Sequence, residues 1–178
     1  MTCTFTIDNE VDGFYVDGVD LLSSASPASC LLDWQVVCSV TFVDRYWEAQ
    51  VVAVQGEELH SNSNYCAKSG FAMTCVSTNP DSSWNDVRSE IEDWVTYSAS
   101  SPLVDPNWMQ PGYDVSSWVP PAASTSGFHC NDCALNGAGE SYNKIWGGDC
   151  EDYTYFVRTV PSYCYSTSTS TSTSTSTS

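Results

Sequence analysis

The sequence predicts an all-β, antiparallel fold braced by disulfides. Three observations point there: short apolar/polar alternations, turn residues between them, and nine cysteines in a chain of 178 residues. Cys3–Asp8 alternates, with Phe5 and Ile7 on one face. Gly13–Val16 and Val19–Leu22 flank Asp17-Gly18, a dipeptide that favours a tight hairpin because both positions tolerate positive φ. Cys38–Val43, Ala49–Val54, Gly70–Val76 and Tyr153–Val160 are rich in β-branched and aromatic residues. About eight strands separated by Gly, Pro, Asn, Asp and Ser read as a sandwich or barrel. Trp84–Tyr97 alone has helical character, with Val87, Ile91 and Trp94 or Val95 on one face and Asp81-Ser82-Ser83 as a cap. A short helix followed by a strand from Trp94 to Tyr97 is the rival reading. Residues 98–129 read as a long loop, in which Pro102, Pro106, Pro111, Pro120 and Pro121 interleave with Trp108, Tyr113 and Trp118.

Composition excludes several functions. Five basic residues against 22 acidic ones give a formal charge of −17. Such a chain does not bind nucleic acid by neutralising phosphates, nor an anionic membrane surface. No apolar run is long enough to span a bilayer. Cys3, Cys30, Cys38, Cys66, Cys75, Cys130, Cys133, Cys150 and Cys164 are spread along the whole chain. So many thiols imply an oxidising compartment: secreted, extracellular or on a surface appendage. Their odd number leaves at least one free, bound to another chain, or paired elsewhere. Met1 leads directly into a strand-like segment, as expected of a mature or excised fragment without its targeting segment.

Two parts are expected: a globular domain over 1–165 and a non-globular tail over 166–178. The tail is Ser166, Thr167, Ser168, Thr169, Ser170, Thr171, Ser172, Thr173, Ser174, Thr175, Ser176, Thr177 and Ser178. It has no apolar side chain to bury, so it is either a flexible linker or a mucin-like stalk carrying covalent O-glycans.

The order of motifs adds a resemblance. TFTIDNEVDGFYVDGV (4–19), WEAQVVAVQGEE (47–58), GFAMTCV (70–76), DWVTYS (93–98), Trp108, DVSSWVPPA (114–122) and IWGGDCEDYTYFVRTV (145–160) follow one another in sequence. In type and order they resemble the landmarks of galactose-binding-like domains, over roughly residues 3–160. The resemblance implies a jelly-roll β-sandwich whose first and last strands lie close together. On that frame a Cys3–Cys164 bridge would tie the ends, Cys30–Cys38 and Cys66–Cys75 would close short loops, and two of Cys130, Cys133 and Cys150 would pair. It also implies a structural calcium near a loop joining strands, for which Asp8, Asn9, Asp12 and Asp17 are candidates. The alternative is that these residues simply suit turns.

Other chemistry is less well supported. His129, Cys130, Cys133 and Cys150 have zinc-like spacing, but structural disulfides explain the cysteines more simply. Carboxylates are abundant, yet abundance is not the flanking pair a glycosidase needs, and no Gly-x-Ser-x-Gly elbow appears. No catalytic residue is expected and no cofactor is required. Trp84, Trp108 and Tyr113 sit in loop-like sequence. They are candidates for stacking on a glycan or a partner, or for packing the long loop. The leading expectation is an extracellular structural glycoprotein that associates with copies of itself into a fibre or coat. A carbohydrate-binding adhesion module is the alternative, and a glycan-active enzyme the next.

Overall fold

The computed structural model describes residues 1–8, 10–33, 36–45, 48–57, 70–123, 145–146 and 153–162. Among these residues ten strands form two five-stranded sheets. In chain order these are β1 (Thr2–Asp8), β2 (Glu10–Val16), β3 (Val19–Asp20), β4 (Cys38–Thr41), β5 (Gln50–Glu57), β6 (Gly70–Val76), β7 (Val95–Ala99), β8 (Ala122–Ala123), β9 (Ile145–Trp146) and β10 (Tyr153–Val160). The first sheet runs β4-β1-β6-β9-β8 and the second β3-β2-β5-β10-β7. All pairings are antiparallel. The architecture is an all-β sandwich, as the alternation predicts.

Its core is built by that alternation. β1 sends Cys3, Phe5 and Ile7 inward; β2 sends Val11, Phe14 and Val16; β5 sends Val52 and Val54; β6 sends Phe71, Met73 and Cys75. Phe5 and Phe14 stack across the two sheets with ring centroids 4.6 Å apart. Phe71 meets Phe156 at 4.8 Å and the edge of Trp94 at 5.3 Å. Burying aromatic and branched side chains of this size supplies most of the stabilisation, at roughly 1.5–3 kcal/mol each. The Asp17-Gly18 turn is the two-residue hairpin expected, with φ of 50° and 75°.

Both disulfides among the described residues belong to the first sheet. Cys30–Cys38 is the pairing expected. Cys3, however, joins Cys75 and not Cys164, so Cys75 is not available to Cys66. Register explains the correction. β1 and β6 are neighbours with Cys3 directly opposite Cys75, their Cα atoms 4.0 Å apart. The last strand, β10, lies in the other sheet. Cys66, Cys130, Cys133, Cys150 and Cys164 lie outside the described residues, as do His129 and the whole 166–178 tail.

The expected helix over 84–97 is a second correction. Ser83–Asp86 and Ile91–Asp93 are only short 3-10 turns. Between them the backbone extends along β6: Cys75 N–H donates to Val87 O at 3.0 Å, and Ser89 N–H donates to Met73 O at 3.1 Å. Sheet pairing plus full burial of Val87 outweighs a helical spacing that is weak to begin with. Ser82 does cap the first turn, accepting from Trp84 N–H at 3.2 Å. The rival strand is realised as β7. No helix of the described residues is long and apolar enough to cross a membrane.

Candidate functional site

The outer face of the second sheet holds the most unusual chemistry. Glu57 on β5 has Glu10 of β2 opposite it on one side and Tyr153 of β10 on the other. A register shift between Val11 and Gly13 marks a β-bulge, which brings Asp12 beside them. Oxygens of Glu10, Asp12 and Glu57 lie within 4.8 Å of one another. Gly13 makes room for the Tyr15 ring, which a Cβ at that position would strike.

The crowding has an electrostatic consequence. Burial first, then the Glu57 and Glu10 carboxylates, push Asp12 up to about 6, while a hydrogen bond from Gln55 works the other way. Asp12 Oδ2 is buried without a hydrogen-bond partner. Glu57 in turn pushes the Tyr153 phenol up. Asp12 therefore takes up a proton well above the ordinary carboxylate range. The cluster is not built like a glycosidase, whose two carboxyls straddle a sugar at about 5–9.5 Å; here the three oxygens crowd one patch of sheet. Its three carboxylates are hard oxygen donors of the kind a cation such as calcium takes.

The four calcium candidates do not form one ligand set. Asn9 lies outside the described residues. Asp8 ends β1 and is buried. Asp17 sits five residues beyond Asp12, at the opposite end of β2, which is about 15 Å along a strand. There it is already engaged: Arg45 pairs with it, Gln50 Nε2 donates to it at 3.1 Å and Val51 N–H at 2.8 Å. Gln50 Oε1 in turn accepts from Arg45 N–H at 3.1 Å. Asp17 thus serves as a turn residue that also ties the β2–β3 hairpin to the start of β5. A cavity of about 180 Å³ lies alongside, between Val16, Leu21, Phe42 and Val43.

The aromatic candidates divide. Trp84 is 1% exposed, donates from Nε1 to Gln50 Oε1 at 3.0 Å and meets Phe42 edge-on at 5.0 Å. Trp108 is 3% exposed and lies edge-on to Tyr155 at 5.0 Å and to Tyr15 at 5.5 Å. Both are packing residues, not recognition residues, because turn-like sequence around a tryptophan does not report whether its ring is covered. Tyr113 is half-buried, 6.2 Å from Trp118. Residues 100–121 form a strap that lays Leu103, Trp108, Met109 and Trp118 over the outer face of the second sheet, making a second apolar cluster with Val51, Ala53, Tyr155 and Val157. Tyr155 OH anchors it by accepting from Leu103 N–H at 2.7 Å. Tyr97, not among the sequence candidates, is 39% exposed with its ring 5.7 Å from Trp118. Alternation along the rival strand over Trp94–Tyr97 is the signal that places Tyr97 outward.

No family model, curated protein or solved structure matches this chain.

Proposed function

We propose that this chain is the folded unit of an extracellular structural glycoprotein. In this reading a jelly-roll sandwich of the galactose-binding-like kind carries an O-glycosylated arm over residues 166–178 and associates with copies of itself into a fibre or coat. The observation that carries the reading is the burial of two disulfides in the sandwich core. Such bonds persist where thiols are not kept reduced, and they suit a part built to last. The mode of association follows from the sheet edges. β3 and β8 are two residues long, β4 is bridged by Ser26 and β7 by Val119. Edges blunted in this way resist strand addition, so copies would meet through faces or loops. Intact mass before and after deglycosylation tests the central feature. Sugar increments confined to 166–178 are expected, and a bare tail on the secreted protein would remove the proposal.

One observation favours a second reading, glycan binding. Tyr97, Tyr113 and Trp118 form a partly exposed aromatic group where β7 meets the strap. Aromatic rings of this kind stack on the C–H faces of sugars. A glycan array would separate the readings: saturable binding that Trp118→Ala abolishes supports recognition, and binding unchanged by that substitution removes it.

A further inference from the structure

Where the β2–β3 hairpin meets the start of β5, a cavity of about 180 Å³ opens at the end of the sandwich. Val19 and Val43 stand at its rim, 58% and 78% exposed, with Val16, Leu21 and Phe42 deeper in. Its walls are fixed by contacts made elsewhere. Phe42 meets the edge of Trp84 at 5.0 Å, and its N–H donates to Met1 O at 3.1 Å. Val16 belongs to β2, and Leu21 N–H donates to Phe14 O at 2.8 Å. A cavity held in this way is preformed, so little ordering is lost when a ligand enters.

Size and chemistry together select that ligand. An apolar cavity of about 150 Å³ accommodates a molecule the size of benzene. Arg45 and Gln50 are the polar residues of this lining. Gln50 has nothing left to offer: Nε2 donates to Asp17, and Oε1 accepts from Arg45 N–H and from Trp84 Nε1. Arg45 is different. Nη2 donates to Asp17, while Nη1 lies 3.6 Å from Glu48, beyond hydrogen-bond distance. The other N–H groups of the guanidinium have no acceptor among the described residues. Its charge, by contrast, is already answered by Asp17 and Glu48, in a chain of net −17. The site offers donors without offering net positive charge. A carboxylate ligand would join two carboxylates already there, and an ammonium brings no acceptor to Arg45. A neutral oxygen suits it.

We propose that this cavity binds a small neutral monocyclic alcohol or carbonyl compound, its ring between Leu21, Phe42 and Val43 and its oxygen accepting from Arg45. The proposal stands independently of self-association and of the 166–178 arm.

Ligand-observed NMR titrations of the full, disulfide-intact chain test it, with benzyl alcohol, benzoate, benzylamine and toluene as probes. Benzyl alcohol should saturate with a Kd on the order of 1 mM, and benzoate and benzylamine should bind about ten-fold more weakly or worse. Val43→Trp lays an indole across the mouth from an exposed position and should weaken benzyl alcohol about ten-fold or more. Val104→Trp, at a site 94% exposed on the strap, should leave it unchanged. Arg45→Met should weaken benzyl alcohol about ten-fold and toluene not at all, because only the alcohol loses a hydrogen bond to a charged donor. Arg45 also holds Asp17, so a second measurement guards against a variant that fails to fold: on the parent chain, benzyl alcohol should shift the Arg45 Nε–H resonance and toluene should not. Absence of saturable benzyl alcohol binding, or binding that Val43→Trp leaves unchanged, would overturn the site. Benzoate or benzylamine binding as tightly as the alcohol, or an Arg45 resonance that does not respond to it, would overturn the ligand class.

Discussion

The first sheet carries both disulfides found among the described residues; the second carries none of them and has part of its outer face covered by the strap. The two sheets meet the same demand by different means. A single sheet face packed on a core leaves strands free to shear or peel at the edges. In the first sheet, Cys3–Cys75 joins adjacent strands, and Cys30–Cys38 fastens β4 to the segment that crosses its edge. In the second, Trp108, Tyr155 and Trp118 build a further layer of apolar contact instead. Cross-linking leaves a face free for other uses; a second core consumes it.

The comparison can be strained at each point. Replacing Cys3 and Cys75 together with alanine should cost about 4 kcal/mol, against about 2.5 kcal/mol for Cys30 with Cys38, since the first pair spans 72 residues and the second 8. Denaturant unfolding of the two double variants checks the order, and a reversed order would mean that local packing around the sulfurs dominates. Trp108→Ala should cost about 3 kcal/mol and open residues 100–121 to proteolysis with both disulfides intact. An uncut strap would show that it does not depend on this ring. Asp12→Asn should stabilise the chain by about 1 kcal/mol above pH 7, after allowance for solvent screening. The sign follows from the raised value: a carboxyl at about 6 in the folded chain, against 3.8 ordinarily, costs stability as pH rises through that window and nothing below it. Thermal melts between pH 4 and pH 8 should therefore show the variant gaining on the parent as pH rises, and parallel curves would dismiss the crowding of Glu10, Asp12 and Glu57. The smallest effect belongs to the outer face of the first sheet: Thr4→Ala should change stability by only about 0.5 kcal/mol, and a larger loss would mean that the contact of Thr4 with Thr74 braces the sheet.

Much of the sandwich was legible because period-two alternation reports directly on which side chains share a face. Phe5 with Ile7, Phe14 with Val16, and Phe71 with Met73 announce their strands and their burial together. Asp17-Gly18 announces its hairpin because positive φ is a local demand. What failed was whatever depends on distant parts of the chain. Val87 to Val95 shows a plausible helical spacing, and only pairing with β6 near Val87 and with β10 at Val95 extends it. The partner of Cys3 is fixed by register 72 residues away, which no local pattern encodes. The acidic cluster was invisible for the same reason: Glu57 reaches Glu10 and Asp12 only through the pairing of β5 with β2, and the bulge at Asp12 leaves no mark in composition.

The placement of the two cross-links also orders the assembly of the molecule. β1, β4 and β6 are all present once residue 76 has been synthesised, so Cys30–Cys38 and then Cys3–Cys75 can close while the rest of the chain is still arriving. The second sheet must wait, because β10 is the neighbour of both β5 and β7 and ends at residue 160. A nascent chain thus gains three covalently tied strands of the first sheet before the second sheet has a complete partner set. The edge of β5 that β10 later covers is exposed in the interval.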